Sequence, residues 1–321
     1  MNRLRQALDP FLMLLVGTVV LASFLPARGR AADIAGGIAD AGIVVLFFLH
    51  GAKLSREAIL GGVKAWRLHL ATLGTTFVAF PLLGIAVVGC GLAPQSLRDG
   101  VLFLTLLPST VQSSIAFTAI ARGNVAAAVV SASFSNLLGI AVTPLLAALL
   151  MERNGSGSLV SLSSVESILL QLLLPFILGH LSRPWTARFV AGHKTLVSRV
   201  DRGSILLVVY AAFSAAVVEG LWSDISSPEL AELAILCVAM LALVLLFTFA
   251  LGRMIGLPRE EAIVLQFCGS KKSLASGVPM AGVLFPASAV GPVLLPIMLF
   301  HQIQLMACAL LARHYARRAE P

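Results

Sequence analysis

The sequence predicts an all-α polytopic membrane protein with ten transmembrane helices. Of its 321 residues, 58% are hydrophobic and 12% are charged, against roughly 25% charged in an average soluble domain. A soluble fold of this composition would lack the polar surface that keeps it dispersed. The apolar residues also fall into ten runs, and the basic residues fall mostly into alternate loops between them.

The ten runs come in chain order and fall into two sets of five. A span needs about 20 largely apolar residues to cross a hydrocarbon core of about 30 Å. The first five predicted spans are Phe11–Leu25, Ile34–Ala52, Leu68–Leu92, Gly100–Ala121 and Val125–Met151. After a polar break at Glu152–Ser158 come Val165–Leu181, Ser204–Val218, Leu230–Ile255, Ala262–Phe285 and Val290–Ala312.

The basic residues predict the orientation. With ten spans and a cytoplasmic N-terminus, 17 Lys and Arg residues lie in cytoplasmic loops and 4 in outer loops. Both termini are therefore predicted to be cytoplasmic, in the plasma (inner) membrane. The net charge of +8 then follows membrane topology and does not indicate a nucleic-acid partner. The alternative, a cleaved signal peptide ending near Ala27–Ala32, would place every later basic loop on the wrong side.

Five spans before the polar break and five after it predict two inverted repeats. An odd number of spans per half reverses the orientation of the second half, as in many secondary transporters. The predicted organisation is a first repeat over residues 1–151, a connecting loop over 152–162 and a second repeat over 163–321.

The fourth span of each half carries a polar cluster at a matching place. An offset of 161 residues places Arg98 on Arg259, Asp99 on Glu260 and Ser109 on Ser270. About ten residues, or about 15 Å of helix, separate each acidic helix start from its cluster, which puts both clusters near the bilayer midplane. Pro108 and Gly269 favour interrupted helices there.

Two interpretations of these clusters are open. Small polar residues could simply allow close helix packing. Alternatively, paired interrupted helices form a binding site, where free carbonyls bind cations and helix N-termini attract anions. The predicted substrate- or ion-binding residues are Ser109, Thr110, Gln112, Ser113, Ser114, Asn136, Gln266, Ser270, Lys271, Lys272, Ser273 and Gln302.

Lys271 and Lys272 are the most unusual of these residues. A lysine at this depth costs about 2.5–3.5 kcal/mol and needs a partner or water. Such a lysine could bind an anionic substrate, exchange a proton or replace a bound metal cation. Asp40 in the second span is the candidate proton carrier or lysine partner. The sequence predicts no catalytic residue, no metal-ligand motif and no phosphate-binding loop.

Several strings resemble a known family. They are Pro108-Ser109, Ala121-Arg122-Gly123-Asn124-Val125-Ala126, Leu138-Gly139-Ile140, Thr143-Pro144, Phe267-Cys268-Gly269-Ser270-Lys271-Lys272-Ser273-Leu274 and Gly277-Val278-Pro279-Met280. Along essentially its whole length the chain resembles the bile acid:sodium symporter superfamily, in its sodium/bile acid cotransporter 7-like branch. The resemblance implies a panel domain (spans 1, 2, 6 and 7), a core domain (the other six), and fourth and ninth spans that cross at unwound centres.

The chain departs from the family where sodium is bound. The family's sodium ligands on the ninth span fall at Cys268, Lys272 and Ser273, and those on the fifth at Ala128 and Ala132. A bound sodium ion is therefore implied only by the resemblance, and we expect no other cofactor. Our hypothesis is that Lys272 supplies the charge that sodium would bring, which favours proton coupling or uniport.

The predicted function is secondary active transport of a small organic anion by alternating access, with coupling to sodium or protons left open. The predicted partners are that solute and the lipid bilayer, with no nucleic acid. The alternative is a non-transporting regulatory or sensor protein on the same fold. An intramembrane Ser–Lys enzyme is disfavoured because Ser270, Lys271, Lys272 and Ser273 share one segment without an orienting His or Asp.

Overall fold

A computed structural model describes residues 10–53, 65–151 and 162–317 of the chain. The secondary structure of these residues is entirely helical. Each of the ten predicted apolar segments forms helix. The loop predicted at 152–162, and the basic residues at the N-terminus and before Ala65, lie largely outside the described residues.

The helices of the first half have the following bounds. They are α1 (Pro10–Phe24), α2 (Arg30–Lys53), α3 (Trp66–Gly89), α4 (Arg98–Leu106), α5 (Val111–Ile120) and α6 (Val125–Met151). Within α3, residues Thr75–Ala79 form a π-turn, in which the Phe80 N–H bonds to the Thr75 carbonyl five residues back. A single-turn π-bulge of this kind leaves a carbonyl without its usual donor.

The helices of the second half continue the series. They are α7 (Leu162–Leu181), α8 (Arg183–Gly192), α9 (Lys194–Val218), α10 (Leu221–Asp224), α11 (Ser227–Met254), α12 (Arg259–Gly269), α13 (Leu274–Leu284) and α14 (Ala287–Arg317). The sequence did not predict α8, which buries none of its residues and exposes Trp185 and Phe189. Its basic and aromatic side chains are typical of the membrane–water interface.

Six of the described helices are long and apolar enough to cross a membrane, and a seventh span is formed if α4 and α5, which meet at 64°, are counted together. The chain is therefore a polytopic membrane protein. The count of ten spans, the inverted repeats and the direction of insertion stay predictions.

The chain divides into two compact units that do not follow the two sequence halves. The first unit comprises Met1–Leu54, Met151–Ser226 and Val278–Leu294, and the second comprises Ser55–Leu150, Ser227–Gly277 and Leu295–Pro321. Each unit therefore takes helices from both halves of the sequence. The first has the helices of predicted spans 1, 2, 6 and 7, which the resemblance assigns to a panel domain.

In the first unit, α2 packs against α7 and α9, and α1 packs against α9. The contact between α2 and α7 needs glycine on both helices. A Cβ atom on Gly51 would lie 2.0 Å from the Phe176 carbonyl oxygen, and one on Gly179 would lie 1.9 Å from the Phe48 oxygen. The Lys53 ammonium at the end of α2 forms an ion pair with Asp201 of α9.

In the second unit, α12 is surrounded by α3, α5 and α11. Its apolar face enters a buried cluster formed by small and branched side chains of three helices: Leu68, Ala127, Ala128, Ala132, Val264, Leu265 and Cys268. This packing brings the C-terminal end of α12 against the break between α4 and α5, where the polar residues of the second unit gather.

Candidate functional site

The first helix break spans residues 107–110, between α4 and α5. Leu107 and Thr110 have extended backbone angles, and Pro108 has no N–H to continue the helix. Helix α6 passes directly beside this break. A Cβ atom on Gly139 would lie 2.6 Å from the Pro108 side chain, so glycine is required for that approach.

The backbone groups freed at this break are bonded by hydroxyl and amide side chains of α6. The Ser109 N–H donates to Ser135 Oγ at 3.0 Å, and Thr143 donates to the Leu106 carbonyl at 2.8 Å. Asn136 donates through Nδ2 to the Ser109 carbonyl at 2.6 Å. Because a buried polar backbone group without a partner is costly, these bonds stabilise the non-helical segment.

The second break spans residues 270–273, between α12 and α13, and it is bonded directly to the first. The Ser273 N–H donates to the Pro108 carbonyl at 2.8 Å. Thr110 donates through its hydroxyl to the Lys272 carbonyl at 2.8 Å, and Ser109 donates to the Cys268 carbonyl at 2.5 Å. The two matched polar clusters of the sequence thus meet inside the second unit.

Further bonds tighten this junction on both sides. Ser114 of α5 donates to the Phe267 carbonyl at 2.9 Å. On α13, Ser276 donates to Asn136 Oδ1 at 2.6 Å, while Ser273 Oγ donates to Ser276 Oγ at 3.0 Å. Asn136 is therefore bonded to the first break and to the first turn of α13, the helix that follows the second break.

Gln304 of α14 fixes the backbone of Lys272. Its Oε1 accepts a hydrogen bond from the Lys272 N–H at 2.9 Å, and its Nε2 donates to the Lys272 carbonyl at 2.9 Å. This is the pairing that a neighbouring β-strand would supply. It holds one residue of the break in a single orientation and so directs the lysine side chain.

The Lys272 ammonium is fully buried and bonded to three main-chain carbonyls. Nζ lies 2.8 Å from the oxygen of Thr76 and 2.7 Å from those of Thr105 and Leu107. The Phe80 ring covers it, with the ring centroid 4.2 Å from Nζ. All three N–H donors of the ammonium are satisfied. We call these three carbonyls and the Phe80 ring the Lys272 cage.

Each cage carbonyl is available for a reason that lies in the backbone. Pro81 has no N–H, so it cannot bond to Thr76 in the register set by the π-turn. The Ser109 N–H, which would bond to Thr105 in a continuous helix, is taken by Ser135. Leu107 is extended, so its carbonyl has left the helical ladder.

The Lys271 ammonium is also fully buried, but its surroundings are different. Its one hydrogen bond is a long one, 3.5 Å from Nζ to Ser113 Oγ. The Phe117 ring centroid lies 4.1 Å from Nζ and the Phe267 centroid 5.4 Å from it. Within the described part of the chain, neither lysine forms an ion pair with a carboxylate. Two of the three Lys271 donors therefore have no hydrogen-bond acceptor among the residues that the structure describes.

The remaining predicted site residues are spread more widely. Ser270 donates to the Gln266 carbonyl, and Gln266 bonds to the Leu245 carbonyl at 3.2 Å and to the Tyr315 hydroxyl. Gln112 is exposed on α5. The buried Oε1 of Gln302 has no hydrogen-bond partner. Asp40 is exposed on α2, in the first unit, so its proposed role with the lysines stays a prediction.

Sequence reasoning did not select several residues that build this site. Thr76 and Thr105 contribute main-chain carbonyl acceptors and carry no side-chain signal, although Pro81 in the middle of an apolar run could have indicated a freed carbonyl nearby. Gln304, Ser135 and Ser276 are polar residues at mid-span, which is the only sequence signal that they gave. Phe117 and Phe80 are indistinguishable in sequence from packing residues.

Of the five residues at the positions that the resemblance assigns to sodium ligands, only Ser273 has a side-chain oxygen. Ala128, Ala132 and Cys268 belong to one buried hydrophobic cluster, and the Cys268 thiol points to the Ala128 carbonyl at 3.8 Å. Sodium needs several oxygen ligands, which these side chains do not supply. Over the described ranges, no three His, Cys, Asp or Glu side chains come together as a metal site.

Comparison with known proteins identifies the family. The model of the SBF-like CPA transporter family matches residues 9–317. The chain is 50% identical over 321 residues to a protein of Escherichia coli named "Putative symporter YfeH", covering 99% of this chain and 96% of that protein. It is 53% identical over 324 residues to protein PA2026 of Pseudomonas aeruginosa, covering 100% and 96%.

A more distant relative carries the name that the sequence motifs indicated. The chain is 26% identical over 278 residues to sodium/bile acid cotransporter 7 of Danio rerio, covering 82% of this chain and 80% of that protein. The resemblance drawn from the Arg-Gly-Asn and Lys-Ser-Leu elements is thereby confirmed. The chain belongs to the SBF-like CPA transporter family, and it is an integral membrane protein of a transporter family rather than an enzyme.

Proposed function

We propose that the chain is a secondary active transporter that moves a small organic anion by alternating access. The observation that carries this proposal is the Lys271 ammonium, which is buried at a junction of two broken helices and has one long hydrogen bond. A buried ammonium is costly unless its donors are paired. An anionic solute would supply the acceptors that the described part of the chain does not.

The groups around Lys271 suit an organic anion better than a bare inorganic one. Phe117 and Phe267 provide apolar surface next to the ammonium, and Ser113 adds a hydroxyl. A carboxylate or sulfate could pair with Nζ while its carbon skeleton packs against the rings. The site also lies at the N-terminal turn of α5, whose dipole favours a negative charge there.

We propose that this transport needs no sodium ion. A buried hydrophobic cluster holds three of the positions that the resemblance assigns to sodium ligands, and Lys272 stands at one of the ninth-span positions. Proton coupling or uniport then accounts for the solute movement. Both lysines and both breaks belong to the second unit, so that unit would carry the solute. The ten-span topology with both termini in the cytoplasm completes the proposal.

A transport assay with matched lysine variants tests this function. Purified wild type, Lys271→Met and Lys194→Met are reconstituted into vesicles, with Lys194 as the control because it is an exposed lysine at the start of α9. Uptake of radiolabelled taurocholate and of short monocarboxylates is measured under a sodium gradient, a proton gradient and neither. We expect wild type and Lys194→Met to take up at least one of these anions. The uptake rate of that anion by Lys271→Met should be at least tenfold lower.

The assay also separates the alternatives. Equal flux through wild type and Lys271→Met would refute the role of Lys271. Strong stoichiometric dependence on sodium would refute the coupling proposal while leaving transport intact. Absence of flux, together with absence of thermal stabilisation by any tested anion, would favour the regulatory or sensor protein over the transporter.

A further inference from the structure

The Lys272 cage has the arrangement of a monovalent-cation site. Three carbonyl dipoles converge on one point from α3, from the last turn of α4 and from the break that follows it, at 2.7–2.8 Å from Nζ. Rings of main-chain carbonyls are how proteins replace the hydration shell of potassium. The aromatic ring of Phe80 closes a fourth side with its negative face, at 4.2 Å.

The cage is organised without help from the lysine. The carbonyls are freed by Pro81, by the Ser109–Ser135 hydrogen bond and by the extended conformation of Leu107, and none of these features involves Lys272. In the absence of the ammonium, three buried acceptors would converge on a point with no donor. Three unpaired buried carbonyls would destabilise the folded protein, and they would favour binding of a cation of suitable size.

The lysine is fixed by contacts of its own backbone. Gln304 pairs with both its N–H and its carbonyl, and Thr110 donates to the same carbonyl. Because the ammonium is covalently attached to this backbone, it cannot be exchanged for a free ion. A positive charge that stays with the second unit removes the need for a free coupling cation at this point.

We propose that the Lys272 cage is a monovalent-cation site that the chain fills with its own ammonium group. When the side chain is removed, the cage accepts a free alkylammonium, ammonium or potassium ion, and it prefers these to the smaller sodium ion. This inference deepens the proposed function, and the conclusion that Lys272 replaces a coupling cation rests on that function. Its test measures cation binding without flux, so the two can fail separately.

The test is a chain-length experiment on two variants. Lys272→Ala removes three carbons and the nitrogen, which propylammonium would replace, and Lys272→Gly removes one carbon more, which butylammonium would replace. Thermal unfolding of both variants, of wild type and of Lys194→Ala is followed in detergent. The chloride salts of propylammonium, butylammonium, ammonium, potassium, sodium and N-methylglucamine are compared at equal ionic strength.

We expect Lys272→Ala to be stabilised most by propylammonium and Lys272→Gly most by butylammonium. A rise in Tm of about 4 °C corresponds to a ligand at a hundredfold above its Kd for a chain of 321 residues. Ammonium and potassium should stabilise both variants more than sodium does, and wild type and Lys194→Ala should be indifferent. A variant that folds only when its matching alkylammonium is present supports the inference equally.

Three outcomes would overturn the inference. One is the same order of alkylammonium effects in both variants, because a specific site must follow the length of the missing side chain. Another is an equal response of wild type, in which the cage is already filled. The third is failure of both variants to fold in every salt while Lys194→Ala folds, since a free cation would then be unable to replace the ammonium.

Discussion

Lys271 and Lys272 are neighbours in sequence and both are fully buried, yet their ammonium groups lie in opposite kinds of surroundings. The Lys272 ammonium has three carbonyl acceptors at 2.7–2.8 Å, whereas the Lys271 ammonium has one hydroxyl at 3.5 Å and two aromatic rings. On a continuous helix, adjacent side chains would point about 100° apart. Because the backbone is not helical at 270–273, the Lys272 ammonium can lie among main-chain carbonyls while the Lys271 ammonium faces aromatic rings.

The different surroundings of the two ammonium groups suit them to two different roles, which a single lysine could not combine. An ammonium with every donor satisfied has nothing left to offer a solute, so Lys272 stabilises the folded junction. An ammonium with donors to spare is costly to the fold but can bind an anion. The pair thus places a structural charge beside one that is free to bind a solute.

The largest expected effect is the opposite response of stability to removal of each charge. Lys272→Met leaves three buried carbonyls without donors, at about 1–3 kcal/mol each, so we expect its Tm to fall by about 4 °C or more. Lys271→Met removes a poorly paired buried charge, and we expect a Tm unchanged within about 2 °C or raised. Thermal unfolding of both variants in the same detergent measures the difference.

Equal losses of stability in the two lysine variants would contradict the comparison. So would a greater loss from Lys271→Met, because that result would mean that its ammonium is the better bonded of the two.

A smaller effect is expected from the residue that holds the Lys272 backbone. Gln304→Met removes the two hydrogen bonds to that backbone, and we expect a loss of about 1–3 kcal/mol with a matching fall in Tm. Gln302→Met is the matched control on the same helix, because the buried Oε1 of Gln302 has no partner to lose. If the control loses as much stability as Gln304→Met, the backbone pairing is not what fixes Lys272.

The helices of this fold follow directly from apolar segment length, and the sequence predicts them well. Val125–Met151 forms a helix with the predicted bounds, and Pro108 lies in a helix break as expected. The number of membrane crossings is harder to predict from the sequence. Whether a broken helix such as α4–α5, or an interfacial helix such as α8, crosses the membrane depends on its packing and not on its composition alone.

The candidate site is predictable where a side chain carries the interaction and unpredictable where the backbone does. Ser109, Asn136 and Lys272 were selected because polar side chains at mid-span need partners. The partners of Lys272 are main-chain carbonyls, which every residue has, so the sequence suggested the visible carboxylate of Asp40 instead. Pro81 is the one signal that a carbonyl of α3 is free, and its meaning depends on a π-turn seen only in the structure.

The smallest expected effect concerns the aromatic side of the comparison. Phe117 lies 4.1 Å from the Lys271 ammonium, and a cation–π contact of this kind contributes about 0.5–2 kcal/mol. A double-mutant cycle of Phe117→Leu with Lys271→Met should therefore give a coupling energy in that range. The same Phe117→Leu change combined with Lys272→Met should give additive effects, within about 0.3–0.5 kcal/mol, if the two pockets are independent.

The cycle is informative because both lysines lie in the same break. Coupling of Phe117 to Lys271 alone would mean that the ring interacts specifically with the ammonium next to it. An anion that binds there would then pair with an ammonium whose main contacts are aromatic rings. Coupling of equal size to Lys272 would mean that loss of either lysine rearranges residues 270–273 as a whole. In that case the structural and the solute-binding charge form one unit, and the division of roles between them is wrong.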